Sequence, residues 1–392
     1  MENTSPTIKK INLSLQGQLP KNLLCLSHLR WDFVYQRPQQ LLSRLAKQFN
    51  VYFLEEPLFD AQDRAYLTLS KVEKNISVIV PHLPAGLTTE EQLSLQRDLL
   101  DRLLATRNLA DFIFWYYTPM ALEYADHLQP KMIVYDCMDE LSAFKFAPAN
   151  IKNLERKLFK IADLVFTGGE TLYRAKKHAH DNIYPFPSSI DKTHFAKSRS
   201  KKVKTFSLIS GIKLGYYGVI DERFDIGLIK EMAENRPNWK FSLVGPVVKI
   251  DPESLPKLPN IHYLGAKTYN ELPKHLAEWD IALIPFLLNE STRFISPTKT
   301  PEYLAGGKPV ISTPIQDVIY PYGINGLVKI GKNAADFIQA AEELYAMTSA
   351  EHKTWLASVD RFLMQLSWEK TCQCMLKKME ETLEEKLMIS VA

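Results

Sequence analysis

Cysteine is scarce in this chain, and what there is falls in no reactive pattern. The 392 residues include four, Cys25, Cys137, Cys372 and Cys374, with no CxxC pair among them. That argues against a disulfide scaffold and a thiolate metal site, and it fits the reduced thiols of a cytoplasmic protein. Cys372 and Cys374 are two apart on an expected helix, so they do not face each other. No uncharged apolar run approaches the roughly 18 residues that a membrane-spanning helix needs. The first ten residues, Met-Glu-Asn-Thr-Ser-Pro-Thr-Ile-Lys-Lys, show no apolar stretch of signal-peptide type. The net charge of +3 is too small to point to nucleic acid.

Several catalytic signatures are missing as well. No GxxxxGK[ST] loop appears, which removes P-loop chemistry. HExxH, Cys/His clusters and a GxSxG elbow are absent, so a zinc hydrolase and an α/β-hydrolase have no basis. The first expected strand is not followed by GxGxxG, which weakens a redox dinucleotide reading. Nowhere does Asp-x-Asp occur, the simplest device for holding a metal on a nucleotide-sugar diphosphate. Any diphosphate ligand would then depend on Lys, Arg and helix N-termini for its neutralisation.

What the chain does have is ordinary globular material, 46% hydrophobic and 24% charged, and enough length for two domains. Short β-branched runs alternate with amphipathic stretches, the pattern of α/β layering with parallel sheets. Strands are expected near 23–27, 51–54, 76–80, 112–115, 132–135, 164–166 and 183–185, with helices between them. A basic stretch at 198–210 reads as a linker. A second series of strands follows at 213–217, 240–244, 261–263, 281–284, 310–312 and 327–329. Helical periodicity then runs from 350 to 387, with a dip at Ser367-Trp368. The expected fold is therefore two Rossmann-like, doubly wound domains facing across a cleft, covering 1–197 and 198–366. Open α/β sheets bind ligands at the carboxyl edges of their strands, so both halves should contribute to the site.

Residues 296–313, SPTKTPEYLAGGKPVIST, are the most informative segment. They read as a loop, a short helix, a glycine break and a buried strand. Pro297 and Pro301 suit a helix start, where a missing N–H costs nothing. Free amides there, including that of Thr298, favour an anion, and Lys299 adds a charge in reach of it. Glu302 lies three residues on, on the same face, where a carboxylate can accept both hydroxyls of a ribose. The alternative is a proline-bounded surface helix with solvated Lys and Glu. A second candidate, Gly218-Val-Ile-Asp-Glu-Arg223, follows the strand 213–217. Gly218 lets backbone approach a ligand, Asp221 is a plausible N-cap, and Arg223 at a helix opening suits a phosphate. A salt bridge from Arg223 to Asp221, Glu222 or Asp225 is the competing reading.

In the first half, His28, Arg30, Trp31 and Arg37 follow the first strand as polar or stacking candidates. Asp136 and Asp139 lie at the end of the strand 132–135. Asp139 is the better candidate for acid–base work or substrate hydroxyls, with capping an equal reading for Asp136. Tyr117 ends another strand and is equally suited to packing.

Taken together, these stretches resemble the GT-B glycosyltransferases of the retaining "glycosyl transferases group 1" (family 4-like) type, especially bacterial cell-envelope polysaccharide enzymes. The matching residues are Arg30-Trp-Asp with Gln36-Arg-Pro, Val51-Tyr-Phe-Leu-Glu-Glu-Pro57, Tyr135-Asp-Cys-Met-Asp139, Ala162-Asp-Leu-Val-Phe-Thr167, Gly218 to Arg223 and Pro297 to Val310. The resemblance implies a nucleotide-sugar donor, UDP-linked by expectation, held mainly by the second half. Arg223 and Lys299 would bind its diphosphate and Glu302 its ribose, with Gly218, Pro297 and Thr298 lining that site. The acceptor, a glycan or lipid-linked sugar, would lie on the first half near His28, Arg30, Trp31, Arg37 and Tyr117. Arg223, Lys299 and Asp139 would be catalytic. Such enzymes need no bound metal or other cofactor and return their last helix, here 367–392, to the first half. The family often carries a further glutamate eight residues before the ribose-binding one, at the donor sugar. Here that position is Phe294, which leaves Glu290, Arg293 or the backbone at 295–297 as substitutes.

The rival readings are an epimerase or phosphorylase on the same scaffold, or a catalytically silent GT-B binding domain. Basic residues at Arg156, Lys157, Lys160, Arg174, Lys176, Lys177, Lys201 and Lys202 allow peripheral contact with the inner face of a membrane. Solvated helix faces are the plainer account of them.

Overall fold

The computed structural model describes residues 18–200 and 211–391. Two parallel sheets dominate it. The first has nine strands, ordered across the sheet as Leu58–Ala61, Ile76–Pro84, Asn50–Leu54, Asn22–Leu26, Phe112–Tyr116, Met132–Cys137, Leu164–Thr167 and Ile183–Pro185. The remaining strand, Tyr66–Glu73, pairs antiparallel with Ile76–Pro84. The second sheet has six strands, all parallel: Ile261–Tyr263, Lys240–Val244, Lys213–Tyr217, Ile281–Ile284, Val310–Ser312 and Lys329–Ile330.

The central strands, such as Phe112–Tyr116 and Ile281–Ile284, are buried along their whole length. Helices cover both faces, which is why these strands read as unbroken apolar runs rather than alternating ones. The expected strands are present, with boundaries shifted by a few residues. Two were not expected, Leu58–Ala61 and Tyr66–Glu73. Both are mostly exposed: Leu58–Ala61 is only four residues, LFDA, and Tyr66–Glu73, YLTLSKVE, mixes polar residues with exposed Leu69 and Val72, so neither shows the apolar run of a buried strand. Asn75, at φ 66°, makes the turn that folds Tyr66–Glu73 back on its neighbour.

Each sheet reverses its winding once. In the first the reversal falls between Asn22–Leu26 and Phe112–Tyr116; in the second it falls between Lys213–Tyr217 and Ile281–Ile284. A crevice opens at the carboxyl ends of such strand pairs, and the two crevices face each other. The expected linker at 198–210 lies for the most part outside the described residues.

The last helix, Trp368–Val391, belongs to the first lobe. Trp368, Cys372, Met375, Met379 and Leu383 recur at helical spacing and are buried in the core that holds Leu41, Leu42, Leu45 and Phe166. Arg44 fastens its start through Glu369 at 2.7 Å. Trp368, 1% exposed, is the largest side chain of this stripe. Trp368→Ala should cost about 3–5 kcal/mol in the urea transition of the whole chain. A loss below about 1 kcal/mol, the range of a surface change, would mean that the helix is not part of that core.

Candidate active site

Between the lobes lies a cavity of about 620 Å³. Its second-lobe wall is built at the winding reversal. Gly218 directly follows the strand Lys213–Tyr217, and its φ of +140° is one that L side chains rarely adopt. A Cβ there would also lie 2.2 Å from Lys299 Cε. The missing side chain is what gives Lys299 its place. Gly245, at φ +147°, completes the close approach, since a Cβ on it would stand 1.9 Å from the Gly218 oxygen.

Lys299 opens the helix Lys299–Ala305. Tyr303 pins this helix to the sheet, its hydroxyl accepting the Tyr217 amide at 2.9 Å. The helix stops at Gly307, at φ +72°, with the Lys308 amide donating back to the Tyr303 carbonyl at 3.0 Å. The Lys299 ammonium sits 5.6 Å from the Tyr216 ring and 5.7 Å from that of Phe286. Burial depresses its pKa, while Glu302 works in the opposite direction. Glu302 is buried and accepts the Tyr217 hydroxyl at 2.8 Å. Burial pushes its carboxyl upward against that hydrogen bond and the Lys299 charge. Pro297, Thr298, Lys299 and Glu302 all line the cavity, as do Gly218 and Arg223.

Arg223 is not at a helix opening. It stands in a turn, and the helix after it begins at Ile226 with Asp225, rather than Asp221, as its N-cap. Asp221 instead pairs with Arg223, with Nη2 at 2.6 Å from Oδ2. Burial opposes the guanidinium charge, yet Asp221 outweighs it and holds the pKa above its ordinary value. The turn is stitched to the neighbouring strand end by Asp225 N–H to the Pro285 carbonyl and Leu287 N–H to the Arg223 carbonyl, both 2.8 Å. The salt-bridge reading is thus realised, and Arg223 still lines the cavity. Across the cleft, the Phe144 ring of the first lobe lies 5.2 Å from both the Arg223 guanidinium and the Lys249 ammonium.

Asp139 faces the cavity from the first lobe. Burial raises its carboxyl to about 6, with Arg223, Arg37 and Lys299 pulling the other way. Trp31 also lines the cavity, its ring set edge-on to Phe53 at 5.2 Å. Phe33 and Tyr35 extend this aromatic wall, and Tyr35 stacks on Tyr269 of the second lobe at 4.4 Å.

The other expected acceptor residues are placed differently. Arg37 borders the cavity, but its guanidinium is committed to the buried Asp136 at 2.8 Å and to the Phe186 carbonyl at 2.7 Å. Asp136 is therefore an ion-pair partner and not a cap. Arg30 is bound to Glu55 at 3.0 Å and to the carbonyls of Glu56 and Pro57, and it does not line the cavity. His28 does not line it either; burial, then the nearby Lys249, lowers its imidazole to about 4. Tyr117 is a core residue beside Trp115. Lys176, read as a surface cation, is buried and bound to Glu140 and Glu155 at 2.7 Å each. Lys201 and Lys202 lie outside the described residues.

Phe294 turns from the cavity and packs against a core cluster of the first lobe. Glu290 and Arg293 are exposed and do not line the cavity, whereas Ile295, Ser296 and Pro297 do. Sequence reasoning missed Phe144, Phe286 and Tyr216, because an aromatic ring around a cation is indistinguishable from core in a linear pattern.

Residues 223–347 match the family described as Glycosyl transferases group 1. Over 280 residues the chain is 26% identical to a putative teichuronic acid biosynthesis glycosyltransferase, TuaH, of Bacillus subtilis (strain 168), covering 64% of this chain and 68% of that one. The fold is similar to that of sucrose-phosphate synthase from Thermosynechococcus elongatus, with a TM-score of 0.72 at 14% identity over 95% of this chain and 100% of that one. It is also similar to Anabaena HepE in complex with UDP and glucose, with a TM-score of 0.63 at 15% identity over 92% and 99%. The chain is a glycosyltransferase of GT-B architecture, and its similarity to the glycosyl transferases group 1 family falls in the second lobe.

Proposed function

We propose that the protein transfers a sugar, with retention and without a bound metal, from a UDP-sugar to a glycan or lipid-linked acceptor in polysaccharide biosynthesis. The observation that carries this reading is one cavity wall. Lys299 and Arg223 supply positive charge there, Glu302 supplies a buried carboxylate beside them, and Asp139 stands on the opposite lobe. The UDP-bound neighbour and the teichuronic acid relative support the donor and the pathway class.

In this scheme the bond from the anomeric carbon to the diphosphate breaks while a bond to an acceptor oxygen forms. Charge accumulates on the departing β-phosphate, which Lys299 and Arg223 neutralise. Such preorganised stabilisation is usually the largest catalytic contribution. The departing phosphate oxygen takes the acceptor proton, and Asp139 orients the acceptor hydroxyl. Glu302 holds the ribose diol. Trp31, Phe33 and Tyr35 offer flat apolar faces for the acceptor sugars, and the backbone at 295–297 meets the donor sugar where Phe294 cannot. For membranes, the relevant fact is that among the described residues no helix is long and apolar enough to cross one. The basic residues 156, 157, 160, 174 and 177 leave peripheral contact as part of the proposal.

Lys299→Ala and Arg223→Ala should each lower turnover by about 10²-fold; Lys299→Ala should leave the melting temperature little changed, whereas Arg223→Ala also strips the buried Asp221 of its partner and should lower it. Unchanged transfer in both variants would end the assignment. UDP at about 100 times its Kd should raise stability by about 2.7 kcal/mol in a melting assay, and Glu302→Gln should reduce that gain. Nucleotide release that needs no acceptor would favour a phosphorylase or epimerase reading. Because Asp139 ionises near 6, activity that depends on its carboxylate should be present above that pH and fall as pH drops through it. Asp139→Asn should abolish this limb of the pH–rate profile.

A further inference from the structure

Behind the cavity the lobes meet along a seam, and one carboxyl group is sealed inside it. Asp317 belongs to a short helical turn of the second lobe, Gln316–Val318, and is 7% exposed. Its Oδ1 accepts the Thr171 amide at 3.0 Å and also the Thr171 hydroxyl, both on the first lobe. Its Oδ2 is enclosed and accepts no bond of ordinary geometry, although the Glu170 amide also favours the carboxylate as a donor. Enclosing a carboxyl group this far is unfavourable unless the bonds it makes offset the loss of water. The space for it is left by Gly169, where a Cβ would stand 2.3 Å from Asp317 Oδ2 and 3.0 Å from Ser296 Cβ.

Both halves of the candidate site adjoin this seam. A Cβ on Gly168 would lie 2.1 Å from the Met138 oxygen, and the Gly168 amide donates to the Cys137 carbonyl at 2.9 Å. Residues 168–171 therefore brace the turn that carries Asp139. On the other side, the Ser296 carbonyl accepts the Ser188 hydroxyl at 2.6 Å, and Ser296 leads through Pro297 and Thr298 to Lys299.

We propose that Asp317 is a positioning residue: it clasps the second lobe onto Thr171 and so sets the cleft width at which Lys299 and Asp139 face each other. Asp317 does not line the cavity, so it acts through the backbone on either side. Thr171 offers an amide and a hydroxyl, so the clasp needs an acceptor oxygen and not a formal charge. Its kinetic consequence rests on the transferase reading; the clasp itself does not.

The test combines amide hydrogen exchange and sugar-transfer kinetics on the full chain. In Asp317→Ala the amides of 169–171 should exchange about tenfold faster, the size expected for losing a capping carboxylate. Its kcat should fall about tenfold with KM for the UDP-sugar changing less than about threefold, since ground-state contacts are kept. Asp317→Asn keeps the acceptor facing Thr171 but places an NH2 group where Oδ2 is enclosed, so it should fall between the unsubstituted protein and Asp317→Ala. Thr171→Val removes only the hydroxyl and should fall between the unsubstituted protein and Asp317→Ala, and it serves if Asp317→Ala does not fold. Unchanged exchange in Asp317→Ala overturns the clasp. Faster exchange with unchanged kcat overturns the positioning role. If no variant or parent transfers sugar, the transferase reading has failed and the exchange data still decide the clasp.

Discussion

The arrangement depends on keeping one ammonium group half-withdrawn from water without neutralising it. Lys299 sits against the rings of Tyr216 and Phe286, in space left by Gly218, with Glu302 one helical turn along. Aromatic faces attract a cation weakly and add no counter-charge. Glu302 is near, but its carboxylate is partly committed to the Tyr217 hydroxyl. A lysine in this state retains much of its capacity to meet an incoming anion. Arg223 is built on the opposite plan: Asp221 saturates it in part and fixes its orientation, so it contributes geometry as much as charge.

These groups make sense only across two lobes. Phe144 of the first lobe covers Arg223 and Lys249 of the second, and Gln40 donates to the Tyr269 hydroxyl at 2.8 Å. The cleft is thus bounded by polar and aromatic contacts that are individually weak. An interface of that kind suits surfaces that must part to admit a substrate and meet again around it.

Much of the fold was legible in the sequence because parallel sheets buried on both faces write themselves as apolar runs. The strands Lys213–Tyr217, Ile281–Ile284 and Val310–Ser312 coincide with their expected spans. Leu58–Ala61 and Tyr66–Glu73 did not show, since an exposed edge imposes almost no apolar pattern. In the site, the segment from Pro297 to Glu302 was readable from local spacing alone, because the helix places Lys299 and Glu302 on one face whatever surrounds them. The first-lobe cations were not. Whether Arg30 or Arg37 faces a ligand depends on Glu55 and Asp136, 25 and 99 positions away, and a linear reading has no access to such pairs. The same limit hid Asp317, whose partner Thr171 lies 146 positions earlier.

The end of the chain carries a mechanical consequence. Leu363 is wholly buried in the second core and Trp368 is buried in the first, so the backbone crosses between the bodies within residues 364–367. A crossing that short cannot stretch or slide. Any swing of one body against the other must turn about this fixed point, as a door turns about its pin. The gap should therefore open widest at the side farthest from it.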